Sequence, residues 1–375
     1  MIKQEAIGLN SRQEANIYDE NGMLPLMTAP MFSVVNEDNC KIFLDNGVRV
    51  CMPRNTGFDG ELEYMQNEKV FASCSLHDFI KLFIDEYDPI NDTTLKQCIC
   101  IDVANGSMPA LHEAIRKAKE IHGSNLIIMA GNVASEDAFV ELAKTGVDYI
   151  RVGIGGGGGC NTTSNTGVGQ IDLRQLIKMC KYAITINTSN WEAKSYIPEL
   201  VSKPSYDIRN VKIVADGISS YIKQCEEKYG FNDNGYAAIN TLLYAGADIV
   251  MIGKLFVQCL ESAGEKGVET MDGVVSFDNW LTPFHISGAP KSLEELFNRG
   301  SKHCRVKYSG MSTLQEQEKY KDDKKPSEGS VQWIPIRWSL PDWLTGNDAQ
   351  DSYPYLMGWV NSIKTVGSYT GNKTI

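Results

Sequence analysis

Short apolar runs recur along the chain, and each is followed by a stretch with helical spacing of its apolar positions. The runs are LPLMTA from Leu24, VRVCM from Val48, VFASC from Val70, CICIDV from Cys98, NLIIMA from Asn125, DYIRV from Asp148, VKIVAD from Val211 and ADIVMIG from Ala247. Continuous rather than alternating hydrophobicity marks strands covered on both faces, the pattern of a parallel sheet. Between them lie helix candidates such as SMPALHEAIRKAKEIHG and SEDAFVELAKTG, the second opened by a Ser/Glu capping pair and ended by glycine. Eight strand–helix units favour a closed (β/α)8 TIM barrel over an open doubly wound sheet. The expected organisation is one barrel domain over about residues 20–260, with residues 261–375 forming a flap and a C-terminal extension over the active site.

Two regions break the rhythm. Residues 184–210 exceed a plain helix-to-strand link, and the segment after the eighth strand reads as long and irregular, with a hairpin-like VETMDGVVSF and a charged EQEKYKDDKKPSEG. Long loops beyond a barrel strand usually carry function.

Composition narrows the classes. A hydrophobic content of 42% supports a substantial core, and a net charge of -11 argues against nucleic acid as a partner. No apolar run is long enough to span a bilayer, so no membrane partner is expected. The ten cysteines are scattered without a CxxC pair, which reads as reduced thiols and a cytoplasmic setting. The five histidines show no metal spacing.

Barrel enzymes carry their chemistry at the C-terminal ends of the strands. Here the sixth strand runs into RVGIGGGGGCNTTSNTGVG, from Arg151 to Gly169, while the seventh ends in ADG at Gly217 and the eighth in IGK at Lys254. Taken alone, Cys160 is more simply a packed thiol and Glu328 part of a charged surface; Asp216 could cap a helix, but its place at a strand end on the rim favours ligand contact, and Lys254 reads equally as a ligand contact or a solvated side chain.

The ordered series IDVANG, MAGNV, RVGIGGGGGCNTTSNTGVG, VADG, AGADIVMIG, YSGMS and SEG resembles the IMP dehydrogenase/GMP reductase family, from about Ser11 to Gly367. The resemblance leans to the reductase branch. Only a short stretch separates Val50 from Ile101, where dehydrogenases usually insert a regulatory domain, and the GMSTLQEQEKYKDDKKPSEG stretch contains no arginine for an Arg–Tyr pair.

The resemblance implies NADPH-dependent reductive deamination of a guanine nucleotide, GMP or a related purine nucleotide, through a covalent cysteine intermediate. Its alternatives are oxidation of IMP with NAD, and a catalytically inactive purine-nucleotide-binding regulator. It makes Cys160 the nucleophile, with Thr162 and Glu328 handling proton transfer. Substrate contacts fall on Asp216, Gly217, Ile218, Gly253, Lys254, Tyr308, Gly310, Met311, Ser312, Lys325, Ser327 and Gly329. The cofactor wall falls on Arg54, Asp102, Val103, Ala104, Asn132, Ile154 and Gly155, with Ser11 and Arg12 reaching toward a neighbouring subunit's cofactor. The family's monovalent cation, potassium, would sit on carbonyls of Gly155, Gly157 and Cys160, and a homotetramer is the implied assembly.

Three positions depart from the family pattern. Gly158 replaces a phosphate-binding serine two residues before the cysteine, Ile218 replaces the second glycine of DGG, and Lys254 stands where the family places Gly or Ser. All three map to the phosphate end of the expected ligand.

Overall fold

Every one of the eight apolar runs contains a strand in the computed structural model. The structure describes residues 2–4, 8–54, 68–86, 97–170, 172–188, 208, 210–277, 292–299, 302–309, 331–346 and 358–372. The strands are β1 (Leu26–Thr28), β2 (Val50–Met52), β3 (Val70–Cys74), β4 (Gln97–Asp102), β5 (Leu126–Val133), β6 (Tyr149–Val152), β7 (Lys212–Ala215) and β8 (Ile249–Ile252). They pair in parallel in the order β1-β8-β7-β6-β5-β4-β3-β2. The two ends of that row meet at a parallel bridge between Met27 and Arg49. There the Thr28 N–H donates to Arg49 O at 2.9 Å and the Arg49 N–H to Leu26 O at 3.0 Å. The sheet is therefore a parallel barrel of the TIM type.

Burial explains the apolar runs: every residue of β1, β2, β6 and β8 is buried. The helices supply the outer cover. Helix Pro109–His122 buries Leu111, Ala114, Ile115 and Ala118, the one-sided spacing of an amphipathic helix. Helix Glu136–Ala143 starts at Ser135, whose hydroxyl accepts from the Ala138 N–H at 3.2 Å, and buries Phe139, Leu142 and Ala143.

In the first irregular region, helix Leu173–Thr188 continues past residue 184, and residues 189–207 and 209 lie outside the described residues. Beyond β8 the chain builds a second sheet. The VETMDGVVSF stretch holds the hairpin β9 (Lys266–Thr270) and β10 (Gly273–Ser276). With β11 (Cys304–Ser309) and β12 (Val331–Pro335) it forms an antiparallel sheet ordered β10-β9-β11-β12. Strands β10 and β12 expose much of their surface, and in β9 and β11 buried positions are mixed with partly buried or exposed ones, so their sequences lack the apolar runs of the barrel strands.

The tail is anchored by aromatics. Trp343 and Trp359 stack with centroids 6.4 Å apart, Trp359 Nε1 donates to Asn240 Oδ1 at 3.0 Å, and Tyr236 Oη donates to Trp343 O at 2.7 Å. Helix Trp359–Thr370 thereby docks on helix Tyr236–Ala245. No helix among the described residues is long and apolar enough to cross a membrane.

Candidate active site at the barrel rim

The loop after β6 is shaped by contacts that exclude side chains. Gly153 has φ +130°, and a Cβ there would stand 2.3 Å from Asp216 O. Gly155 has φ +77°, and its Cβ would meet Thr163 Oγ1 at 1.7 Å. Neither position accepts an L side chain without moving backbone or rim. The Ser220 N–H donates to Gly156 O at 2.9 Å, tying this loop to the one after β7, and the Cys160 N–H donates to Gly157 O at 3.1 Å. The glycine run is therefore a fitted turn and not a slack linker.

The turn presents Cys160 to solvent. All ten cysteines are described, and Cys160 alone is exposed. Its thiol donates to Thr162 Oγ1 at 3.2 Å. Thr162 is the first residue of the short helix Thr162–Thr166, which ends at left-handed Gly167.

Beside the loop lies a buried charge cluster on the ends of β4, β6 and β7. Arg151 Nη1 donates to Asp102 Oδ1 at 2.7 Å, and Arg151 Nη2 and Nε donate to Asp216 Oδ2 at 2.9 and 3.2 Å. Arg54 Nε donates to the other oxygen of Asp102 at 3.0 Å. Asn132 Nδ2 donates to Asp216 Oδ2 at 2.8 Å and to Gly153 O at 2.7 Å, while the Gly217 N–H donates to Asp216 Oδ1 at 2.6 Å. Burial pushes the Asp102 carboxyl up, but the guanidinium groups of Arg151 and Arg54 outweigh it and hold the carboxyl below the usual carboxylate range. Burial works against the Arg151 charge, and Asp216, Cys100 and Asp102 reverse that effect. Asp216 is thus no helix cap: helix Ile218–Tyr229 starts from Gly217 without a side-chain cap bond.

On the far side of Cys160, residues from three elements face Gly158. A Cβ at Gly158 would meet Lys254 Cδ at 2.9 Å, Ser219 Oγ at 3.3 Å and Tyr308 Oη at 3.4 Å. The Tyr308 hydroxyl accepts from the Gly159 N–H, and burial pushes its pKa up to about 12. Gly253 and Lys254 follow β8 directly, as expected. The Ile218 side chain is buried in the core, so only its backbone is left to meet a ligand.

The structure therefore brings Asp102, Asn132, Gly155, Gly157, Cys160, Thr162, Asp216, Gly217, Gly253, Lys254 and Tyr308 to one end of the barrel. Val103 and Ala104 continue β4 as partly buried and exposed positions, and Ile154 follows β6, its N–H donating to Gln170 Oε1 at 2.7 Å. Ser11 and Arg12 are exposed on a 3-10 turn beside helix Trp359–Thr370, and no described contact joins them to the rim cluster. Gly310, Met311, Ser312, Lys325, Ser327, Glu328 and Gly329 lie outside the described residues.

Sequence reasoning passed over Arg151 and Ser219. Arg151 carried a signal: a charged residue in the apolar run DYIRV must be paired if that run is buried. Ser219 carried none beyond its place after β7.

A parallel barrel with an exposed thiol on a fitted glycine turn, next to paired buried carboxylates, gathers its candidate chemistry at the end of the barrel where barrel enzymes carry theirs. The model of the IMP dehydrogenase / GMP reductase domain matches residues 92–190. GMP reductases of Staphylococcus aureus strains JH9, Mu50 / ATCC 700699 and Newman are each 29% identical over 255 residues, 64% of this chain and 63% of theirs. The match thus spans somewhat less than two thirds of those relatives' length. Over those stretches the chain is similar to the IMP dehydrogenase / GMP reductase domain and to GMP reductases, the resemblance that its ordered motifs also carry.

Proposed function

We propose that the chain reduces a guanine nucleotide, GMP first among the candidates, to the corresponding inosine nucleotide and ammonia with NADPH. The observation that carries this reading is the Cys160 thiol, exposed on the rim and hydrogen-bonded to Thr162. In the proposed reaction the Cys160 thiolate adds to C2 of the purine, and the 2-amino group leaves as ammonia after gaining a proton. Hydride delivered to C2 then lets the carbon–sulfur bond break and returns the thiolate. In total GMP, NADPH and two protons give IMP, ammonium and NADP. Thr162, with Glu328, would move the proton to the leaving nitrogen. A thiolate suits addition to an electron-poor ring carbon because it is strongly nucleophilic near neutral pH.

Asp216, oriented by Arg151, Asn132 and the Gly217 N–H, would accept from a ribose hydroxyl. Backbone groups of Gly217, Ile218 and Gly253, with Lys254 and Tyr308, would take the phosphate end, and Gly310, Met311, Ser312, Lys325, Ser327 and Gly329 would complete the cover. The nicotinamide, when bound, supplies the hydride. The residues fit that group: Val103, Ala104 and Ile154 offer a small apolar wall beside Asp102, Asn132 and Arg54. Arg151 is a positioning residue here, since it acts through Asp102 and Asp216. Potassium fits the donor set at Gly155, Gly157 and Cys160, which is three neutral carbonyls; Gly157 O, already accepting from the Cys160 N–H, keeps a second lone pair.

The test offers purified protein NADPH with GMP, deoxy-GMP and other purine nucleotides, and separately NAD with IMP. Loss of NADPH absorbance with matching ammonia release is the expected result. Reduction of NAD by IMP with no NADPH oxidation overturns the reading.

A further inference from the structure

The face of Gly158 gathers three groups whose own partners are missing or incomplete among the described residues. Lys254 makes no ion pair there. Tyr308 is 2% exposed; its oxygen accepts from the Gly159 N–H, but its hydroxyl hydrogen finds no acceptor. Ser219 sits in the first turn of helix Ile218–Tyr229, whose start has no side-chain cap. A buried donor without an acceptor is costly, and it is satisfied when a ligand supplies the oxygen. A lysine stem and two hydroxyls that converge on one spot beside a helix start suit a compact anion.

The geometry also couples two positions. A Cβ on Gly158 would come 2.9 Å from Lys254 Cδ, so the lysine stem crosses the space that any side chain at 158 would need. A hydroxymethyl at 158 would push the stem aside and so shift where the ammonium can reach.

We propose that Gly158 and Lys254 act as one specificity-determining pair, in which the bare glycine admits the lysine and the lysine makes the anion seat selective for a phosphomonoester dianion over the neutral nucleoside. Two neutral hydroxyls alone would discriminate less, because only the lysine brings a full opposite charge to the dianion. The inference rests on the reading above only for the nucleoside half of the ligand. The seat itself is tested with inorganic phosphate.

The experiment compares the protein with its Lys254→Met, Gly158→Ser and Gly158→Ser/Lys254→Ser variants, all first checked for unchanged circular dichroism. Affinities for GMP, guanosine and inorganic phosphate are measured by calorimetry and by protection of Cys160 from a disulfide reagent. Lys254→Met keeps the apolar stem and is expected to lower the GMP-over-guanosine preference by about tenfold or more, with guanosine affinity unchanged and phosphate protection lost. Gly158→Ser supplies a hydroxyl while displacing the lysine stem, so it is expected to lower the preference less than Lys254→Met does, and the second change in the double variant to cost much less than Lys254→Met costs alone. A preference unchanged in Lys254→Met, or losses at 158 and 254 that simply add, overturns the pairing. If GMP binds in a Lys254-dependent way but NADPH is not oxidised, the reductase reading fails and this inference stands. If NADPH is oxidised with GMP while phosphate and GMP bind independently of Lys254, this inference fails and the reductase reading stands. If GMP does not bind, Lys254-dependent phosphate binding still supports the seat and its absence overturns it.

Discussion

Replacing Arg151 by methionine keeps most of the side-chain volume and removes the charge that joins Asp102 to Asp216. Arg151 is 6% exposed, and its bonds to the two carboxylates run from 2.7 to 3.2 Å. Deleting one partner of a buried ion pair costs roughly 3–5 kcal/mol, because the other charge is left behind. Asp102 keeps Arg54, and Asp216 keeps Asn132 and the Gly217 N–H, so the middle of that range, about 4 kcal/mol, is expected. At about 2.1 cal/mol/K per residue, unfolding 375 residues carries an entropy near 0.8 kcal/mol/K, which makes the loss a fall of about 5 °C in Tm.

The loss should depend on pH in a defined direction. In the native protein the Asp102 carboxyl is held below its ordinary range. Its stabilising contribution is therefore present above the unfolded value of about 4 and disappears only as pH falls through the lower folded value. Without Arg151, burial weighs more and the carboxyl rises, so the variant's native state takes up a proton earlier on acidification. The Tm gap is then widest near neutral pH and narrows toward about pH 5. Melting curves of both proteins across that range measure it. Equal Tm at neutral pH, or a gap that widens on acidification, would refute the argument.

Two other outcomes follow from the site and the tail. Cys160→Ser should abolish NADPH oxidation with GMP while leaving nucleotide binding measurable by calorimetry, and should remove the fastest-reacting thiol in a labelling time course, since Cys160 alone is exposed. Trp359→Ala removes a side chain with no exposed surface, its stack on Trp343 and its bond to Asn240. A loss of about 3–5 kcal/mol in denaturant unfolding is expected, with faster proteolysis of the C-terminal helix.

The barrel was legible because strands buried on both faces write themselves as apolar runs, and all eight did so. The sheet β9–β12 was not, apart from its hairpin, because half-exposed strands leave no such run. At the site, Cys160 taken alone reads as a packed thiol; the motif series singled it out, and its thiol is exposed in the fold. Arg151 was hidden in plain view within a strand, since a single residue cannot announce that Asp102 and Asp216, each more than forty positions away, will close on it. The departures at Gly158 and Lys254 were visible separately. That one is the space for the other required the backbone to bring residues 158 and 254 together.

The ring of eight strands is not equally strong all the way round. Pairing runs over six positions between β4 and β5, but the closure between β1 and β2 has a single ladder bridge, at Met27 and Arg49, beside which the Cys51 N–H donates to Thr28 Oγ1 at 3.0 Å. Arg49 reinforces it with its side chain, donating to Leu24 O at 2.8 Å and pairing with Asp19. Partial opening starts where the fewest bonds must break. The barrel should thus unzip at that seam, and in hydrogen–deuterium exchange the amides of Thr28 and Arg49 should trade their protons before those in the middle of β4. The order of disassembly is written in the closure and not in the size of the core.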